Sequence, residues 1–355
     1  MIKPASSLCN MRCEYCFYHD VASSRESESF GIMSTDTARH IIRKAFDFAD
    51  GESVAFSFQG GEPLLAGIEF FRYFADKAAE LNEKKSPVFF GLQTNGTLIS
   101  EEWARFFAEK DFLVGLSLDG DRQANRFRKD ASGLGVHDTV CSAAKLLDRF
   151  GVEYNILAVL TGYSARNIDR IYSFFKNKKF KYLQFIPCLR PFGDKSESDK
   201  YMTAEDYKYF LIHAFNAYVK DYVRNEYTSV RQFDNLVQLW LGKAPEQCGM
   251  CGHCMHQLVV EGNGNVYPCD FYCLDEWLLG DINESDFRTM AESVRAKDFI
   301  EESLAIDERC RECRYYALCR GSGCKRSRAD RDYCEAYKAF FDACLPMFRV
   351  FINEK

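Results

Sequence analysis

The first two-thirds of this 355-residue chain alternates short, apolar, β-rich stretches with helix-patterned ones. That order constrains the fold more than any other feature, because strand–helix–strand repeats close into a parallel sheet covered by helices. The strand candidates are Ser53–Phe58, Val88–Leu92, Phe112–Leu116, Glu153–Leu160 and Tyr182–Ile186. A short segment, Ile2 to Ser7, supplies a sixth. Between them, Val136, Val140, Ala143 and Leu147 form one helical stripe. Ile168, Ile171 and Phe175 form another, with Ser164 as its candidate cap. Both stripes read as core. Six strands suit an α/β fold of the open, partial (β/α)6 barrel type.

The length suggests one large α/β unit and a smaller second one. Arg190–Lys200 reads as an exposed loop. Thr203 and Asp206 resemble a capping box for a long helix ending near Val223. Past Leu241 the alternation gives way to cysteines, glycines and turns, so the boundary falls near Val230–Gly242. Net charge is −6 and no basic face stands out, which argues against a nucleic-acid partner. No apolar run approaches the roughly 20 residues of a membrane span, and the opening residues lack a secretion-type apolar stretch. A cytoplasmic protein is expected.

Sixteen cysteines are many for a reducing compartment, where metal binding is their leading use. Cys141 and Cys188 lie alone among apolar neighbours and read as buried thiols. Eleven of the sixteen lie between Cys248 and Cys344, and Cys344 itself reads as a core thiol of a final helix. Near the start, Cys9, Cys13 and Cys16 are spaced C-x3-C-x2-C. Such a trio leaves a [4Fe–4S] cluster one protein ligand short, and the open iron can chelate the amino and carboxylate groups of S-adenosylmethionine (SAM). A three-cysteine zinc site completed by His19 is the weaker alternative, since the spacing is unusual for zinc. Gln59-Gly60-Gly61-Glu62-Pro63 follows the strand candidate Ser53–Phe58 directly. There, glycines permit close backbone approach, and carbonyls with Glu62 can accept from an ammonium group.

Taken together, the chain resembles the anaerobic sulfatase-maturating enzymes of the radical SAM superfamily, which carry a SPASM extension. The resemblance rests on the strings spanning residues 2–19, 58–63, 92–98, 112–120 and 267–272, in that order. It implies a radical SAM domain over residues 1–235 and a cysteine-rich SPASM domain over residues 236–355. It implies three [4Fe–4S] clusters: one on Cys9, Cys13 and Cys16, one on Cys248, Cys254, Cys269 and Cys324, and one on Cys310, Cys313, Cys319 and Cys334. Cys251 and Cys273 remain alternative ligands, and Cys319-x4-Cys324 is one residue longer than the usual family spacing. Two four-cysteine zinc sites in a non-catalytic binding protein are the competing reading of this region. The implied SAM contacts are Tyr15, Gly60, Gly61, Glu62, Ser117, Arg128 and Leu189. Tyr18 and Gln59 are implied near the substrate, with Asp270 as the base.

The activity implied is conversion of a cysteine or serine in a sulfatase to Cα-formylglycine through a 5′-deoxyadenosyl radical. The expected partners are an unfolded or nascent sulfatase presenting a Cys/Ser-x-Pro-x-Arg segment, and an electron donor such as ferredoxin or flavodoxin. Modification of another ribosomal peptide, by crosslinking or epimerisation, is the alternative within the same chemistry.

Overall fold

The structure, a computed structural model, describes residues 1–352. Residues 353–355, at the end of the expected second domain, lie outside the described residues. Six parallel strands follow one another in chain order in one sheet: β1 (Val54–Phe58), β2 (Val88–Thr94), β3 (Phe112–Ser117), β4 (Tyr154–Leu160), β5 (Tyr182–Pro187) and β6 (Ser229–Val230). A small antiparallel sheet follows, of β7 (Val259–Val260), β8 (Asn265–Tyr267) and β9 (Gly280–Asp281).

The six-strand count holds, but its membership differs from expectation at both ends. The segment Ile2 to Ser7 contributes only a bridge at Ile2, parallel to Phe58 and to Val260. Pro4 cannot donate to a ladder, and the chain turns at once, with Ser6 N donating to Lys3 O and Leu8 N to Ala5 O. The sixth strand is instead β6, two residues long and too short for any periodicity to reveal.

The chain divides into two compact, discontinuous units that cross the expected boundary. Of the described residues, one comprises 1–117, 128–154 and 256–299, the other 118–127, 155–255 and 300–352.

In the first unit, β1 pairs with β2, aligning Phe58 with Leu92, and β2 with β3, aligning Phe90 with Phe112. Alternation divides the faces. Phe56, Phe58, Leu92 and Phe112 point into a core with Phe71, Phe74, Trp103 and Phe107 from the flanking helices. Phe58 stacks edge-on against Phe71 and Phe74 at 4.9 and 5.0 Å. Each such ring contributes about 1.5–3 kcal/mol by leaving water. The opposite face carries Ser57, Gly91, Gln93, Gly115 and Ser117, small or polar residues toward the C-terminal ends of the strands, with Phe89 and Leu113 exposed nearer their starts. A Cβ on Gly115 would fall 2.1 Å from Gln93 Oε1, so this face has room for the Gln93 amide only because residue 115 has no side chain.

In the second unit, β4, β5 and β6 pair in parallel over a core including Phe185, Phe210, Phe215 and Phe340. The long helix runs Ala204–Val223, and both hydrogen bonds of the Thr203–Asp206 capping box form. One cap is corrected. Thr161, not Ser164, accepts from the backbone at the start of a short helix, Gly162–Arg166, and the stripe of Ile168, Ile171 and Phe175 lies on a second helix, Ile168–Asn177, that begins after Asn167. In the Arg190–Lys200 loop, Arg190 is buried. Cys141, Cys188 and Cys344 are buried as expected. Among the described residues, no helix is long and apolar enough to cross a membrane.

Candidate active site

The loop bearing Cys9, Cys13 and Cys16 is folded by its neighbours in the first unit. Met11 bridges Asp130, Arg12 N donates to Lys129 O (2.7 Å), and Lys129 pairs with Glu14 (2.6 Å). Gly60 and Gly61 close it from the other side. Gly61 N donates to Ser6 O (2.8 Å) and Glu62 N to Leu8 O (2.7 Å). A Cβ on Gly61 would sit 2.0 Å from Leu8 O. The glycines therefore serve the approach of the cysteine-bearing segment itself.

Glu62 is fully buried, and its carboxylate accepts from Thr94 Oγ1 (2.8 Å), Asn95 N (2.8 Å) and Leu64 N (3.1 Å). Burial pushes its carboxyl up to about 7, against the pull of those three donors. Asn95 in turn donates to Asn10 (2.9 Å) and approaches Cys9 Sγ at 4.0 Å. Thr94 and Asn95 carry no signal of their own in the sequence, although they lie in the family-like stretch at residues 92–98. Ser117 accepts from Gln93 (2.9 Å), Arg128 lies 5.5 Å above the Tyr15 ring, and Leu189 is buried in the second unit.

Asp270 lies in the first unit with Lys3, Gln59 and Tyr18. Lys3 Nζ donates to Asp270 Oδ1, and Gln59 Nε2 donates to Oδ2 (2.5 Å). The Asp270 backbone N–H is received by Gln257 Oε1 (3.2 Å). A second buried ion pair lies alongside, with Arg25 donating to Glu261 (2.7 Å). Tyr18 donates to that same Glu261 and presents its ring to Lys3, 3.6 Å from the ammonium. Desolvation first, then the Glu261 charge, hold the Tyr18 hydroxyl well above the usual tyrosine range. The hydroxyl is thus committed to Glu261, and what Tyr18 offers this site is its ring face. Lys3, Arg25 and Glu261 escaped sequence reasoning. For Lys3 and Glu261 the available signal was a charged residue inside an otherwise apolar segment, as in Met1-Ile2-Lys3-Pro4 and Val259-Val260-Glu261, whereas Arg25 lies in a polar stretch that carries no such signal.

The remaining cysteines fall into groups. Cys310, Cys313, Cys319 and Cys334 line one cavity of the second unit. The loop Arg320–Gly323 has positive φ at all four residues, which absorbs the extra residue before Cys324. It also turns the N–H groups of Gly321 and Ser322 toward Cys319. Cys248 has Cys254, Cys324 and Cys251 as neighbouring thiols in the same unit, and a Cβ on Gly249 would lie 3.6 Å from Cys324 Cβ. Cys251 points back to the carbonyls of Gln247 (3.7 Å) and Pro245 (3.9 Å). Cys269 and Cys273 are in the first unit, where Cys273 is fully buried beneath the Asp270 network and donates to Cys269 O (3.6 Å).

Burial pushes Cys9 and Cys319 up to about 12 and Cys248 to about 11, and neighbouring thiols add to each shift. Crowded thiols of this kind ionise together only when a cation binds them, so the donor sets fit iron–sulfur clusters.

Comparison with known proteins gives the family. The radical SAM superfamily profile matches residues 4–175, and the SPASM profile, an iron-sulfur cluster-binding domain, matches residues 248–314. A cysteine-type anaerobic sulfatase-maturating enzyme of Clostridium novyi (strain NT) is 44% identical, over 96% of this chain and 94% of its own. The chain belongs to the anaerobic sulfatase-maturating enzymes. A further cysteine-type member of the family, from Clostridium perfringens (strain 13 / Type A), is 42% identical over 98% of this chain and 96% of its own. The solved structure of native anSMEcpe with bound AdoMet and Cp18Cys peptide is 41% identical, with a TM-score of 0.94, covering 100% of this chain and 98% of that one. As a sulfatase-maturating enzyme of the radical SAM superfamily, the chain is a SAM- and [4Fe–4S]-dependent enzyme of post-translational modification.

Proposed function

We propose that the chain oxidises a cysteine, and by the same route a serine, of a Cys/Ser-x-Pro-x-Arg sulfatase segment to Cα-formylglycine. The observation that carries this is the Asp270 carboxylate, buried next to Cys269 and held at both oxygens, in a chain 44% identical to a cysteine-type enzyme.

In this reading Cys9, Cys13 and Cys16 hold the SAM cluster. Tyr15, Gly60, Gly61, Glu62, Ser117, Arg128 and Leu189 hold SAM. Cys248, Cys254, Cys269 and Cys324 hold one auxiliary cluster, and Cys310, Cys313, Cys319 and Cys334 the other. Residues 1–235 then supply radical generation and residues 236–355 the auxiliary redox centres. When bound, SAM and the clusters supply the one-electron chemistry, removing the β-hydrogen atom and accepting the electron left behind. The protein's own part is proton transfer and placement. Asp270 takes the thiol or hydroxyl proton. Gln59, fixed on Oδ2, orients the target side chain beside it. The loss of one hydrogen atom, one proton and one electron leaves a thioaldehyde from cysteine, which water hydrolyses to the aldehyde with release of sulfide. Serine gives the aldehyde directly. A small ferredoxin or flavodoxin in the cytoplasm is the proposed reductant.

Asp270→Asn tests the assignment. The expected result is a fall in formylglycine formation of at least about 100-fold, while reductive cleavage of SAM persists. Product formation near the wild-type rate would remove Asp270 from the mechanism.

A further inference from the structure

The Asp270 base is met by Lys3, a lysine with no part in the proton and hydrogen-atom transfers. Lys3 is fully buried, while the little exposure of the pair, 7%, lies on the Asp270 side chain. Every part of Lys3 is fixed. Its N–H donates to Val260 O (2.8 Å), and its carbonyl accepts from Ser6 N (3.1 Å). Its stem fills the space that a Cβ on Gly60 would enter, 3.2 Å from both Lys3 Cβ and Cγ. Its ammonium lies over the Tyr18 ring and donates to Asp270 Oδ1. Arg25 neutralises Glu261 nearby, so Asp270 is the partner left to Lys3.

Stability alone is a poor reason for this arrangement. A buried ion pair contributes little over an apolar pair of the same volume, and what it does supply is fixed geometry. The two oxygens of Asp270 are also held differently, Oδ1 by a full charge and Oδ2 by a neutral amide.

We infer that Lys3 is the positioning residue of the active-site carboxylate, pinning Oδ1 so that the Oδ2 edge beside Gln59 is the one that meets the substrate thiol. Lys3 itself touches no reacting atom. The inference rests on the reading of Asp270 as the base.

The test is a double-mutant cycle in the reconstituted holoenzyme with Lys3→Met, Asp270→Asn and the pair. Iron content, and reductive SAM cleavage without peptide, report an intact site. The expected outcome for Lys3→Met is an unchanged peptide KM, with a kcat for formylglycine lower by about 10- to 100-fold, the cost of a carboxylate displaced by about 1 Å. In the Asp270→Asn background, Lys3→Met adds no further loss. A wild-type kcat in Lys3→Met, or losses that multiply in the pair, would overturn the inference. An active Asp270→Asn enzyme would instead overturn the base itself. Should Lys3→Met fall short of wild-type iron content, Lys3→Gln keeps a donor for Oδ1 and drops the charge. It is expected to lose less than about 10-fold in kcat at constant KM, because the donor to Oδ1 remains, and a loss of about 10- to 100-fold with full iron would refute the pinning of Oδ1.

Discussion

Glu62 illustrates how a single buried side chain ties stability to pH. Its motif was legible because glycines and an acid directly follow a strand. Its surroundings were not, because the three donors come from its own turn and from residues 94 and 95, 32 and 33 positions downstream. With its carboxyl raised from 4.5 to about 7 by burial, the folded chain binds this proton more tightly than the unfolded chain does. Its contribution to stability is fully present below about pH 4.5 and is lost as pH rises through about 7, at no more than about 1.4 kcal/mol per pH unit. Thermal melts of the anaerobic protein from pH 5.5 to 8 should show this decline. Glu62→Gln should melt lower throughout, because the amide sets a donor against donors, yet lose that part of the slope. An unaltered slope would show that Glu62 does not titrate in this range. Lys3 and Glu261 were hidden for a related reason. A buried charge is recognisable only through its partner, and here the partners lie 267 and 236 residues apart in sequence.

At the level of elements, apolar runs announced five of the six strands, and helical stripes announced two of the helices, His137–Phe150 and Ile168–Asn177. The errors have simple causes. A strand of two residues carries no period, and a segment with Pro4 in it cannot extend a ladder. Ser164 does not cap the striped helix, because the chain inserts a short extra helix there, capped by Thr161, and the striped helix begins only after Asn167. The long helix was legible at both ends since its signal is local. Thr203→Ala should cost about 1 kcal/mol, read by denaturant or thermal unfolding, with no effect on SAM cleavage. Gly61→Ala acts differently. Its Cβ would meet a backbone carbonyl rather than a flexible side-chain tip, so the cysteine loop has to move. The expected result is loss of the SAM-cluster iron, about four atoms per chain, and of SAM cleavage, while the iron of the C-terminal sites remains. Full iron and normal cleavage would show that the loop tolerates the shift.

Across the whole molecule, the cysteine spacing carried most of the functional reading, because the C-x3-C-x2-C interval of Cys9, Cys13 and Cys16 is short and local. The division into compact units was not legible, since residues 256–299 belong with the first unit although they lie within the cysteine-rich part of the chain. Three clusters predict about 12 iron atoms per chain after anaerobic reconstitution. Replacing Cys310 and Cys313 together by alanine should lower that by about four, leaving SAM cleavage intact and slowing formylglycine formation. The most direct test of the account is anaerobic incubation of the reconstituted protein with SAM, a reductant and a Cys-x-Pro-x-Arg peptide, followed by mass spectrometry of the peptide and quantification of deoxyadenosine. The account predicts a peptide in which cysteine has become formylglycine, with one deoxyadenosine formed per turnover. An unchanged cysteine with all iron sites filled and SAM cleaved would contradict it.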